Sequence, residues 1–161
     1  EQVGHELRQA ADDPLVEAIV LRVDSPGGTP AAAEEIIRDL EYAKERKQFG
    51  QSISTFQASA FKLADMYMEI EAARNMLYKA AWLCDNKRDE YKVLSTMAKL
   101  YCSEVAHRCV NHGVQLHGGY GLMKEYDIER FYRDQRLLEI GEGTSEVLRL
   151  VISRAIGCYK V

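Results

Sequence analysis

Residues 56–85 read FQASAFKLADMYMEIEAARNMLYKAAWLCD, a run with neither glycine nor proline. Phe61, Ala64, Met68, Ala72 and Leu83 recur near helical spacing, which predicts one long helix with those residues on its apolar side. Asn86 to Asp89 is a polar break, and Asp89-Glu90 suits the start of the next helix because acidic groups favour a helix N-terminus. From Tyr91 to Leu116 a second stripe follows, with Leu94, Met97, Ala98, Tyr101, Val105, Cys109 and Val114. The glycines of 118–121 end it. A shorter charged helix spans Ile128 to Arg136, and a last one runs from about Thr144 to Tyr159 behind Gly141 and Gly143. Long helices joined by short polar breaks predict a mainly α fold, an up-and-down bundle of three to four long helices.

Upstream the character changes. Gln2 to Ala11 is helix-like, Asp12-Asp13-Pro14 is a turn, and Val16 to Val23 reads as one short buried strand. Asp24 to Pro30 is a loop, Thr29 caps the next helix with Pro30 as its first residue, and that helix continues to Lys47. Ala32, Ile36, Ile37, Leu40 and Ala43 lie on one side of it. The expectation is therefore a short α-β-turn arm, residues 1–41, ahead of a helical bundle, residues 42–161. A lone strand cannot satisfy its own backbone groups, so it predicts pairing or oligomerisation.

The chain has 161 residues, 47% hydrophobic and 29% charged, with 21 basic and 25 acidic side chains for a net charge of −4. That balance argues against a nucleic-acid partner, which needs a basic stripe to replace phosphate counterions. No run of about 18 apolar residues suggests a membrane span, and the first ten residues lack the basic and apolar regions of a signal peptide. The four cysteines, Cys84, Cys102, Cys109 and Cys158, contain no C-x-x-C pair. They predict reduced, mostly buried thiols in a cytoplasmic or other reducing compartment such as a mitochondrial matrix. Cys109 and His112 share a helix face, but no third ligand stands at supporting spacing, so no metal site is expected.

Four blocks carry a resemblance: residues 42–50 (YAKERKQFG), 115–121 (QLHGGYG), 125–134 (EYDIERFYRD) and 140–147 (IGEGTSEV). In order and separation they resemble the C-terminal helical domain of the acyl-CoA dehydrogenases over residues 42–157. Residues 16–28 (VEAIVLRVDSPGG) followed by 33–36 (AEEI) resemble instead a segment of the signal-peptide peptidases, a Clp-protease-like serine protease family. The two together suggest a chimera joined within one helix near Leu40 to Glu45.

The first resemblance implies FAD, an acyl-CoA thioester and a homo-oligomer. Taking hydrogens from the α and β carbons of a thioester needs a base and a hydride acceptor, and no side chain accepts a hydride. The family's base matches Glu142, set between two glycines, where burial beside an acyl chain strengthens a carboxylate as a base. Its plain structural role is a solvated acid at a helix start. Gly143 matches a substrate contact, and Thr144 and Glu146 match flavin contacts. Arg46, Gln57, Gln115, Gly118 and Gly119 match further FAD contacts, Arg46 towards the pyrophosphate and often across a dimer interface. A guanidinium fork suits diphosphate oxygens, although Arg46 also reads as one member of an exposed charge run. Because other walls of the family's site match nothing in these residues, weak flavin binding and no turnover by this chain alone are expected. Two other functions stand beside this one: an inert chimeric or engineered helical scaffold, and a serine-peptidase-like module. The second would use Gly27 and Gly28 as oxyanion donors, but Ser25 has no evident base.

Overall fold

The computed structural model describes residues 29–158, with side chains from residue 37 on. The expected helix 2–11, strand 16–23, turn at 24–28 and the residues Ser25, Gly27 and Gly28 lie outside the described residues. Five helices make up most of the rest: α1 (Thr29–Glu45), α2 (Gln57–Asp85), α3 (Tyr91–His117), α4 (Asp127–Gln135) and α5 (Ser145–Ala155). The fold is a mainly α bundle.

Side-chain contacts set the helix directions. Cys102 of α3 reaches the Ala73 carbonyl of α2, and Arg108 Nε bonds Glu69 at 2.9 Å, so α2 and α3 are antiparallel. Asp39 lies by Gly113 and Arg46 by Tyr120, which makes α1 parallel to α3. Ile128 meets Gly113 while Gln135 meets Ser103, so α4 runs back down α3. Lys99 meets Gly143 and Arg149 pairs with Glu104, which turns α5 up again. Short connections enforce this alternation, and α3 is the axis against which the other four helices pack.

Two local features differ from the sequence reading. Helix α1 stops at Glu45 rather than Lys47, because Lys47–Gln48 (β1) pairs antiparallel with Gln51–Ser52 (β2) in a small hairpin. Phe49 (φ 53°) and Gly50 (φ 80°) supply the two left-handed positions of its turn. Ser52 Oγ then donates to the carbonyls of Ala43 and Lys44 at 2.7 and 2.9 Å, capping the end of α1. The second difference is the inward face of α2. Leu63, Met66, Ile70, Ala73 and Ala80 are buried, whereas Phe61 and Met68 are 59% and 64% exposed. Ile37 and Met97 are likewise exposed rather than inward. The core is built from Ala43, Leu63, Met66, Ile70, Ala73, Val105, Cys109 and Leu116.

The cysteines also need correcting. Cys109 is buried and Cys102 half-buried, but Cys84 and Cys158 are exposed; all four are free. Burial, with a smaller effect from the nearby Glu69 charge, pushes the Cys109 thiol up to about 12. With iodoacetamide at pH 8, Cys84 and Cys158 are expected to alkylate readily. Cys109 should react about three orders of magnitude more slowly, for want of thiolate, until the chain unfolds. Peptide mass spectrometry over a time course checks this, and fast labelling of Cys109 in the folded chain would show that the core opens.

Candidate functional site

The chain from Leu137 to Thr144 passes from a 3-10 turn (Arg136–Glu139) through two glycines into α5. Glu142 sits in this loop with φ 54° and Gly143 follows at φ 103°. A left-handed glutamate costs on the order of 1 kcal/mol and persists only where its surroundings hold it. The holding group is Lys99 of α3, whose Nζ donates to the carbonyls of Leu138 at 2.8 Å and Gly143 at 2.7 Å. One ammonium thus staples both ends of the loop. Behind the loop, buried Gln135 donates to the Ser103 carbonyl and to Glu139 at 3.1 Å each, and His107 Nδ1 lies 3.0 Å from its oxygen.

Glu142 is exposed at the lip of a groove of about 540 Å³ between α2 and α3. Leu77, Ala80, Ala98, Cys102 and Leu138 give it an apolar lining, and Lys99 and Glu142 are its charged residues. Next to it, Thr144 Oγ1 accepts from Val147 N at 3.3 Å and so caps α5. Glu146, exposed in the first turn, is held below the usual carboxylate range by its own backbone N–H and then by the Thr144 hydroxyl. Glu142, Gly143, Thr144 and Glu146 therefore form one cluster.

Arg46, Gly118 and Gly119 form another. With Gln48, Leu116, His117 and Tyr120 they line a pocket of about 420 Å³. The Arg46 guanidinium lies 4.9 Å above the Tyr120 ring, a cation–π contact. A Cβ built on Gly118 or Gly119 would meet nothing within 4 Å, so their backbone faces open space. Gly121 is the opposite case. A Cβ there would come 2.8 Å from the Val114 carbonyl, and only glycine lets this turn lie on α3. Gln115, on the last turn of α3, and Gln57, the first residue of α2, are exposed outside this lining.

The two clusters sit at opposite ends of α3. From Lys99 to His117 is eighteen residues of helix, about 27 Å. Side-chain donors, a guanidinium and open backbone at the 420 Å³ pocket suit a diphosphate, and the apolar groove beside a carboxylate suits an acyl chain.

Beneath the Arg46 pocket is a group that sequence reasoning missed. Tyr42 stacks on His117 at 3.8 Å, with Tyr126 edge-on to both. His117 Nδ1 lies 2.9 Å from the Gly113 carbonyl and 3.5 Å from Asp39 Oδ1, so the carbonyl is the hydrogen-bond partner and the carboxylate a longer contact. Burial holds His117 below the ordinary histidine range, against a smaller opposing effect of the Gly113 carbonyl. Asp39, fully buried at 0% exposure, had no sequence signal beyond its position on α1. Among the described residues no group of three or more His, Cys, Asp or Glu is placed to hold a metal ion, and no helix is long and apolar enough to cross a membrane.

A family profile for the acyl-CoA dehydrogenase C-terminal domain matches residues 18–157. The match begins inside the stretch that the sequence reading set apart as peptidase-like. The chain is 61% identical over 117 residues to a probable acyl-CoA dehydrogenase, YngJ, of Bacillus subtilis, covering 73% of this chain and 30% of that protein. Among solved structures, butyryl-CoA dehydrogenase from Megasphaera elsdenii superposes with a TM-score of 0.77 at 41% identity, covering 80% of this chain and 33% of that one. An FAD complex of PigA gives 0.78 at 32% identity, covering 81% and 34%. The chain thus spans about a third of the length of the proteins it matches. By profile, sequence and superposition alike, it belongs to the family of the acyl-CoA dehydrogenase C-terminal domain.

Proposed function

We propose that this chain is the helical part of an FAD-dependent enzyme that α,β-dehydrogenates an acyl-CoA thioester, with Glu142 as the base for the α proton. The observation that carries the reading is Glu142 itself, held in a left-handed conformation by the Lys99-stapled loop at the lip of an apolar groove. That placement presents a carboxylate to whatever lies along the groove. Gly143 follows as the substrate contact, and Thr144 and Glu146, at the cap and first turn of α5, as flavin contacts. When bound, FAD supplies the hydride acceptor that no side chain can provide. Arg46 and the open backbone at Gly118 and Gly119 hold a diphosphate, with Gln57 and Gln115 as outlying contacts. Because about 27 Å of α3 separates this pocket from Glu142, the two ends serve different ligand molecules, and a complete site takes its pyrophosphate clamp from a second copy. A homo-oligomer is therefore part of the reading.

The described bundle gives each ligand one wall, which leaves most of a flavin's surface in water. Weak flavin retention and no turnover by this chain alone are expected. The test is a visible spectrum after incubation with excess FAD and desalting, followed by butyryl-CoA. A retained band that bleaches in the parent chain and not in Glu142→Gln supports Glu142 as base. A retained band that bleaches equally in both removes that role. No retained flavin makes this chain on its own the inert scaffold of the alternative reading.

For residues 1–41 we infer an ancestry distinct from that of residues 42–157. Its support is the quoted stretch 16–36, set against a family profile that already matches from residue 18. The peptidase-like activity has no further support.

A further inference from the structure

A pocket of about 330 Å³ lies between the C-terminal half of α1, the end of α3 and the turn into α4. Its lining shares only His117 with that of the Arg46 pocket, and its charge is opposite. Four carboxylates surround it, Glu41 and Glu45 of α1 and Glu125 and Asp127 at the entry to α4, against one guanidinium, Arg38. Asp127 is already paired, with Arg38 at 3.3 Å and Arg130 at 3.2 Å. Glu41, Glu45 and Glu125 enter no ion pair of the described residues. A cation held between them meets three opposite charges at once.

Acidic residues alone make a solvated surface; the walls between these do not. Tyr42 and Tyr126 are half-buried and line the pocket with their rings at 85°, centroids 6.1 Å apart. Aromatic faces attract cations, and a planar guanidinium stacks on them as well. The molecule uses this contact next door, where Arg46 lies over Tyr120. The third wall is His117, whose side chain is 8% exposed. Its Nδ1 lies 2.9 Å from the Gly113 carbonyl, which can only accept, so Nδ1 carries the proton. Burial keeps the ring neutral at pH 7. Nε2, on the opposite edge of the ring, is left as a bare acceptor that no hydrogen bond of the described residues reaches.

We infer that this pocket binds a guanidinium group carried on an aliphatic stem. A flat fork of five N–H donors meets the carboxylates and Nε2 in one plane and offers its face to the tyrosines. Among the described residues no group of three or more His, Cys, Asp or Glu converges closely enough for a metal ion, so these carboxylates are spaced for a larger, hydrogen-bonding cation. The volume is at the small end for ligand pockets, which suits one such group rather than a folded surface.

The test uses the 161-residue chain labelled with nitrogen-15 at histidine. A bare ring nitrogen shifts upfield when it accepts a hydrogen bond, so the His117 Nε2 resonance, assigned with His117→Gln, reports the contact. Agmatine and Nα-acetylarginine amide, titrated separately at pH 7 and low salt, are each expected to move it saturably, with a dissociation constant of about 1 mM or below. Nα-acetylcitrulline amide, of the same shape without the charge, is expected to leave it in place. Glu41→Gln, Glu45→Gln and Glu125→Gln should each weaken binding about threefold, and the triple variant at least about tenfold. Asp85→Asn, which removes the same charge beside the other end of α3, should change nothing. Circular dichroism on each variant excludes misfolding. Tighter binding of the arginine amide identifies the source as an arginine side chain of a partner; equal or tighter binding of agmatine identifies a free cation. No saturable shift up to about 10 mM overturns the inference. So does a citrulline amide that binds as well, or an Asp85→Asn chain weakened as much as the pocket variants.

Discussion

Gly113→Ala is expected to destabilise the bundle by about 2 kcal/mol, although alanine is the better helix former by about 1 kcal/mol. A Cβ at this position would lie 2.6 Å from Asp39 Oδ2, 2.7 Å from Ile128 Cδ1 and 3.0 Å from Asp39 Oδ1. Ile128 can withdraw a terminal methyl, but Asp39 is fully enclosed and short, so the strain falls on the packing of α1 against α3. Asp39→Ala removes the obstacle. Removing the carboxylate loses its contact with His117 but gives the new methyl room, so the double variant is expected to lose less than the sum of the two single losses. Urea unfolding of the four proteins gives the coupling. Additive losses would mean that Asp39 and Gly113 do not share this contact. A Gly113→Ala protein as stable as the parent would mean that α1 sits further from α3 than described.

Met66→Ala is expected to cost about 3 kcal/mol, and Met68→Ala less than about 0.5 kcal/mol, in the monomer. The two methionines are two residues apart on α2, yet Met66 is 1% exposed and Met68 is 64% exposed. Met66 fills the core between Leu63, Ile70, Val105 and Cys109, and its removal leaves a cavity that helices held at both ends cannot close. Thermal unfolding at low concentration, where association does not contribute, measures both. Equal losses would place Met68 in the core as well. A larger loss for Met68 would reverse the inward face of α2.

This contrast marks how far the sequence could be read. Helices α2 and α3 were legible to within a residue or so, because glycine and proline are absent inside them and polar breaks or glycines bound them. The inward face of α2 was not legible. Phe61 and Met68 are as apolar as Leu63 and Met66, so the period fits either stripe, and only the neighbour that covers a face decides which is core. The hairpin at Lys47–Ser52 was missed for a related reason: two-residue strands are too short to show alternation, and the Phe49-Gly50 turn is their whole signal. At the site, Glu142, Arg46 and Gly118 were visible through family blocks. Lys99 was not, since a lysine on a helix carries no mark of the two carbonyls it will meet forty residues on. Asp39 was equally silent, and Tyr42 and His117, although inside two of the family blocks, carried no sign that they would stack on each other.

By itself the sequence determined a mainly α bundle, the boundaries of its two longest helices, α2 and α3, and the four blocks of its family, because local backbone preferences and short motifs are written in neighbouring residues. The tertiary structure alone decided which faces are buried, how Lys99 holds Glu142, and that the two halves of the candidate site lie at opposite ends of α3. Those facts depend on contacts between residues far apart in the chain, and no local pattern specifies who meets whom.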